Sequence, residues 1–516
     1  MKRYKLYKSI YILIGSLLIV ISGCEEFTET EPYSQVSGDQ FWQTESDLRA
    51  GLAATYDALQ STLKSNHWHW GEGRSDNFGI SEKPSLEIGQ LITNTLQTNN
   101  ETSKWDQLYK VISRANLVIE NAPVVGIYDS NILGEAHALR ALSYFYGVRI
   151  WGDMPLHTEA ITSLEQELLK NRTSAEVIIN DVILEDLKIA NELITNQSGH
   201  VTITKGALYA LEAHVYMWQG EEALAIDCIN KLESLGNYKL AGTENDWAES
   251  RDKWIKMFLE ESGEELIFSL QWDANSDGVS VGNSNQGVGN AQEILNSGSP
   301  DYLYSQTLYE KWIDVFPLDS AIWVSKYPAD EYPYWAERRD FGEENLYNYG
   351  DWRMFESINI LPPVLDPWIP DNKQVTIKYL KQLGEDEGRK EDASDYPIFR
   401  YSGILLLKAE AHARLGQKTE ATQILNEIRD ARVLPRVDQD LGFTELLNAV
   451  LDERQFELYA EAHRWYDLRR NKINGSEQVI EVMGPINGFS DPTKFLWPIS
   501  LTAIERNSKL SQNDGY

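Results

Sequence analysis

Leu211-Glu-Ala-His-Val-Tyr-Met-Trp-Gln-Gly-Glu-Glu-Ala-Leu-Ala-Ile-Asp-Cys-Ile-Asn-Lys-Leu232 and Leu407-Lys-Ala-Glu-Ala-His-Ala-Arg-Leu-Gly-Gln-Lys-Thr-Glu-Ala-Thr-Gln-Ile-Leu-Asn-Glu-Ile428 carry the same pattern. Leu211, Ala213, Gly220, Ala225 and Leu232 stand at offsets −9, −7, 0, +5 and +12 from the glycine, and Leu407, Ala409, Gly416, Ala421 and Ile428 repeat them. A glycine at that place ends a helix in the left-handed conformation that side chains resist. The alanines let two helices cross closely, and the large residues fill the space between them. The spacing is that of tetratricopeptide-type helical hairpins. The copies lie far apart, so the scaffold is interrupted by insertions.

Helical periodicity extends outward from both copies. It predicts helices over Asp47–Leu63, Trp105–Ile119, Glu135–Trp151, Ser174–Ile194, Thr204–Gln219 and Glu221–Glu233. In the C-terminal part it predicts Tyr401–Leu415, Lys418–Ala431 and one long helix over Phe443–Arg470. Between 243 and 399 the period fails, and Gly/Asn/Ser-rich loops alternate with an aromatic-dense stretch from Tyr302 to Trp368. Long irregular segments on a helical scaffold are where binding surfaces tend to sit. The expected fold is mainly α: a scaffold over 41–242 and 400–516 and a loop-rich, aromatic-rich insertion over 243–399.

The N-terminus is an export signal. Lys2, Arg3, Lys5 and Lys8 precede an apolar run from Ile10 to Ile21, too short for a spanning helix. Ile21-Ser-Gly-Cys24 resembles a bacterial lipobox, which makes 1–23 a signal peptide and Cys24 the lipidated first residue. The acidic stretch 24–40 then reads as a tether. With Cys24 lipidated, Cys228 has no disulfide partner and is expected to be a small buried hydrophobe. The 516 residues carry 47 basic and 79 acidic side chains, a net charge of −32. That balance argues against nucleic acid, which demands basic patches, and against lying on an anionic lipid surface.

Longer motifs carry a family resemblance. Gly134-Glu-Ala-His-Ala-Leu-Arg-Ala-Leu-Ser-Tyr-Phe-Tyr-Gly-Val-Arg-Ile-Trp-Gly-Asp-Met-Pro-Leu156 and Ile112-Ser-Arg-Ala-Asn-Leu-Val-Ile-Glu120 resemble signature segments of the SusD/RagB family. So do Asp452-Glu-Arg-Gln-Phe-Glu-Leu-Tyr-Ala-Glu-Ala-His-Arg-Trp-Tyr-Asp-Leu-Arg-Arg470 and the close from Leu496-Trp-Pro-Ile499 to Gln512-Asn-Asp-Gly-Tyr516. The resemblance implies about four tetratricopeptide-like hairpins packed against a ligand-binding half. It also implies an outer-membrane lipoprotein that captures oligosaccharides for a SusC-like TonB-dependent transporter, with peptide capture as the alternative and a surface glycoside hydrolase as a weaker one.

Sugars combine apolar C–H faces with hydroxyls, so their sites pair aromatic platforms with polar side chains. Two stretches qualify. In His67-Trp-His-Trp-Gly-Glu-Gly-Arg-Ser-Asp-Asn77, a locally extended chain puts Trp68 and Trp70 on one side with Asp76 and Asn77 close by. Replacing Trp68 is then expected to weaken binding without unfolding. Equally, Arg74 and Asp76 could merely brace the loop. The second stretch offers Tyr302, Tyr332 and Trp335, while Trp312 and Phe316 read as core. Glu457 and Glu461, four apart on one helix, read as ion-pair residues rather than an acid/base pair, since they point the same way and cannot flank a bond.

Metal signals are thin. His67 and His69 lack further ligands nearby. Asp273, Asn275 and Asp277 copy the opening of a calcium loop, but position twelve is Ser284 instead of glutamate. No phosphate loop, nucleophile elbow or zinc helix occurs, so no cofactor and no catalytic activity are expected.

Overall fold

The computed structural model describes residues 41–516 except 82–83, 164, 243–246, 260–262, 273–294, 296–300, 329–348, 360–373, 380, 383–389 and 392–394. The scaffold begins with α1 (Glu45–Gly71), α2 (Asp106–Val125) and α3 (Ser130–Trp151). Ala175–Ile178 and a π turn lead into α4 (Leu184–Leu193). α5 (Lys205–Gln219) and α6 (Glu222–Ser234) form the first of the two similar hairpins. α7 (Tyr401–Arg414) and α8 (Lys418–Ala431) form the second, followed by α9 (Phe443–Glu457), α10 (Arg464–Arg470) and α11 (Leu501–Arg506).

The two hairpins turn as the glycine spacing requires, with Gly220 at φ +77° and Gly416 at φ +74°. They pack on one another through α6 and α7, so copies nearly two hundred residues apart in sequence stack side by side. α1 lies along α2, α2 along α3 and α3 along α4, each burying its apolar stripe on the next. α3 is buried on nearly every side, hence its polar residues must be partnered inside. Arg140 meets that demand by clamping Asp186 of α4 with Nε and Nη2 at 2.8 and 2.7 Å. Cys228 is buried, as expected of a small hydrophobe.

The predicted helix over Phe443–Arg470 is two helices. α9 stops at Glu457, and a buried turn through Ala460 (φ +60°) and Ala462 (φ +62°) separates it from α10. Alanine is the best helix former, so nothing in the local sequence announces this break.

Of two short antiparallel pairs, the first ties the stretch 243–399 to the scaffold and the second closes within it. β1 (Phe78–Ile80) pairs with β3 (Tyr302–Tyr304), Phe78 opposite Tyr304. β2 (Leu266–Leu270) pairs with β4 (Tyr396–Arg400), which runs directly into α7.

Candidate functional site

The segment expected to hold ligand is packed into the core. α1 continues to Gly71, so Trp68 and Trp70 project roughly 200° apart instead of to one side. The Trp68 indole donates to the Ala460 carbonyl at 2.9 Å and meets Tyr396 edge-on at 4.8 Å. Trp70 donates to the Thr102 carbonyl at 3.0 Å and packs against Trp151. Asp76 is held by Arg464 at 2.8 and 3.0 Å and by Gln455 at 2.9 Å. Burial raises the Asp76 pKa, but Arg464 and Lys311 outweigh it and hold the carboxyl below its usual range. Asn77 bonds Glu72 and Gln455. Burial raises the Glu72 carboxyl to about 8.

Tyr302 stacks on Phe78 at 4.7 Å and shares a 2.8 Å hydrogen bond with His69. The five residues Trp68, Trp70, Asp76, Asn77 and Tyr302 are therefore structural, corrected from ligand contacts to core, and their polar atoms are already used inside the protein. The bracing alternative for Arg74 and Asp76 holds. Arg74 bonds the Lys494 and Phe495 carbonyls and Asn94 while lying 4.4 Å over Trp465. Trp312 and Phe316 are core, as expected. Tyr332 and Trp335 lie outside the described residues, as do Asp273, Asn275 and Asp277. Among the described residues no cluster of three His, Cys, Asp or Glu forms a metal site, and His67 has no partner for either ring nitrogen.

Glu457 and Glu461 sit in a charge network that joins elements instead of running along one helix. Arg400 bridges Glu461, Glu457 and Glu265 at 2.6, 2.6 and 3.1 Å. Arg432 adds Glu265 and Glu457, both at 2.7 Å, and Arg353 reaches Glu457 while Lys378 reaches Glu461, each at 2.5 Å. Burial alone would raise the Glu457 pKa. Arg432, Arg400 and Arg353 outweigh it and keep the carboxylate well below its usual range. A carboxylate held this way is a fixed charge, not a proton donor.

One open cleft on the scaffold has the opposite character. Its volume is about 340 Å³, and it lies between the start of α2, the chain at 155–169 and α11. Trp105, Tyr109 and His157 form an aromatic floor, with Leu168 and Leu169 exposed on one wall. The backbone there is fixed: Tyr109 donates to the Pro155 carbonyl at 2.6 Å and Lys170 to that of Leu156 at 2.9 Å. His157 N–H donates to the Tyr144 hydroxyl at 2.8 Å, and its carbonyl accepts from Tyr144 and Asn116. Sequence reasoning missed this cleft because its walls are hundreds of residues apart.

Comparison with known proteins completes the picture. Residues 370–516 match a family model described as the SusD family. Residues 26–217 match one described as starch-binding associating with outer membrane. The whole chain is 36% identical over 531 residues to SusD-like protein P38 of Formosa agariphila, covering 100% of both. The chain belongs to the SusD family. SusD-family relatives include SusD-like protein P2 of the same organism, 24% identical over 99% of this chain and 100% of that one. Among solved structures, B. fragilis NanU superposes with a TM-score of 0.68 at 22% identity, covering 94% of this chain and 99% of that one. A SusD-superfamily protein of Bacteroides vulgatus gives 0.68 at 18%, covering 92% and 100%. These share the mainly helical SusD fold. The two family models leave 218–369 between them, which includes most of the aromatic insertion. Among the described residues no helix is long and apolar enough to cross a membrane.

Proposed function

We propose that this SusD-family chain is a non-catalytic, cell-surface lipoprotein that captures oligosaccharides and hands them to a SusC-like TonB-dependent transporter in the outer membrane. The end-to-end match to SusD-like protein P38 carries the reading. The match of 26–217 to a model described as starch-binding and outer-membrane-associated supports the glycan and the location. So does the 32% identity over 126 residues, 24% of this chain, to the starch-binding protein SusD of Bacteroides thetaiotaomicron. Cys24, behind its signal peptide, is the proposed lipid anchor. Tyr332 and Trp335 are proposed ligand residues on their setting among prolines and acidic residues in the insertion. A calcium ion at Asp273, Asn275 and Asp277 is a further proposal, checked by calorimetry with Ca²⁺ after chelation.

The direct test is calorimetric titration with panels of oligosaccharides and of peptides. Heat with a saccharide, and unchanged saccharide after prolonged incubation, is the expected result. Binding restricted to peptides would replace the glycan reading, and product formation would replace the non-catalytic one. Co-purification of a TonB-dependent barrel with the tagged chain from detergent-solubilised outer membranes tests the delivery step.

A further inference from the structure

The cleft between the start of α2, the chain at 155–169 and α11 has the make-up of a ligand site, and all of its lining residues lie outside 243–399. Its volume of about 340 Å³ sits at the small end of the range for small-molecule sites, which is roughly 300–1,000 Å³. Some polar side chains of the lining are committed, Lys104 to Glu101 and Asn507 to the Lys170 carbonyl, and others are not. Asp106, the His157 imidazole, Thr502 and Arg506 have no hydrogen-bond or ion-pair partner among the described residues, and all four are exposed or half-buried.

We propose that this cleft is a saccharide subsite on the scaffold, separate from the insertion, in which a short sugar lies on the Trp105–Tyr109–His157 floor. The proposal rests on the glycan-capture reading and adds a place to it. Three observations favour a sugar over other occupants. The floor is aromatic, with Tyr109 edge-on to both Trp105 and His157 at 5.9 Å, and sugar C–H faces pack against aromatic rings.

The free polar groups are mixed: Asp106 accepts, Arg506 donates, and Thr502 does both. Burial, with Lys170 nearby, lowers the His157 pKa, so its ring is neutral near pH 7 and also both donates and accepts. Hydroxyls need that balance, whereas an anion would be matched by donors alone. Finally, the lining offers no free strand edge to pair with a peptide. The adjacent strand Met154–Pro155 is already paired with Arg172–Thr173, and the other walls are helix residues and irregular chain.

The hydrogen bonds of the Tyr109 hydroxyl and the Lys170 ammonium to main-chain carbonyls, and of the His157 N–H to Tyr144, keep the cleft open before any ligand arrives. A sugar entering it orders little of the protein, which limits the entropic cost of binding.

The test uses the full chain in detergent and trisaccharides of the malto, cello, xylo and laminari series, with tripeptides as controls. Calorimetry on the unaltered chain is followed by His157→Ala, Thr502→Ala and Arg506→Gln, all at half-buried or exposed positions, and by Trp335→Ala in the insertion. The expected result is a loss of at least tenfold in saccharide affinity, or of one bound equivalent, in the cleft variants with unchanged thermal unfolding. Saccharide binding that survives all three cleft variants would overturn the subsite while leaving the glycan reading intact. No saccharide heat with the unaltered chain would overturn both. Tripeptide binding that the cleft variants abolish would overturn the sugar assignment in favour of a peptide site.

Discussion

Trp68 illustrates how one residue changes meaning once its neighbours are known. Read along the chain, it is an aromatic beside Asp and Asn; in the fold, it is a fully buried side chain whose indole caps the carbonyl of Ala460. Trp68→Ala is therefore expected to cost about 3–5 kcal/mol of stability, as large-to-small core changes of this size do. Urea unfolding reads this out, and an unchanged midpoint would return Trp68 to the surface. His67 beside it makes a pH prediction. Burial, with the nearby His463 ring adding to it, lowers its pKa to about 3, below the ~6.5 of an unfolded histidine. As pH falls the unfolded chain takes up the proton first. The stability held by the neutral ring is complete above the unfolded pKa and drains away as pH falls toward the folded one. His67→Phe removes that uptake, so its stability relative to the unaltered chain should rise by about 2 kcal/mol between pH 7 and pH 5. Parallel denaturation curves at the two pH values give the difference directly.

The two similar hairpins were legible as elements because their signals are local: a glycine where φ must be positive, alanines where helices cross, large apolar residues between. The break between α9 and α10 was not legible. Asp452–Arg470 has helical spacing and neither glycine nor proline, and two alanines in left-handed conformation cost roughly 1–3 kcal/mol each in a folded protein. That cost is met by partners remote in sequence. The Ala460 carbonyl accepts from Trp68 and Tyr379, and the Ala462 N–H donates to Glu72. The end of α1 is seated against this turn, and a Cβ at Gly71 would lie 2.1 Å from the Ala462 carbonyl oxygen. Gly71→Ala must push the turn or the helix end away, and is expected to lower stability by about 2–3 kcal/mol. A variant with the unaltered midpoint would show that α1 does not lock the turn.

On the scale of the whole molecule, the buried charges fasten the insertion's edges to the scaffold. Glu265 precedes β2, Arg400 closes β4, and Glu457 and Glu461 flank the end of α9. Arg400→Leu leaves Glu461, Glu457 and Glu265 short of a buried partner. It is expected to cost about 3–5 kcal/mol, seen as a fall in the thermal midpoint. Cys24→Ser tests the anchor: the exported chain is expected to leave the membrane pellet for the soluble fraction, and full retention in the pellet would show another attachment. By itself the sequence determined the helical class, the two similar hairpins and the family motifs, but not the helices Trp247–Leu259, Gln306–Val315, Ser320–Lys326 and Trp352–Ser357 inside 243–399. What it determined is written in short-range spacing, and spacing follows from helical geometry alone. Only the tertiary structure decided which aromatics are core, which carboxylates are fixed charges, and that Trp105, His157 and Arg506 share a cleft. Burial and pairing come from partners hundreds of residues away, and no local pattern specifies them.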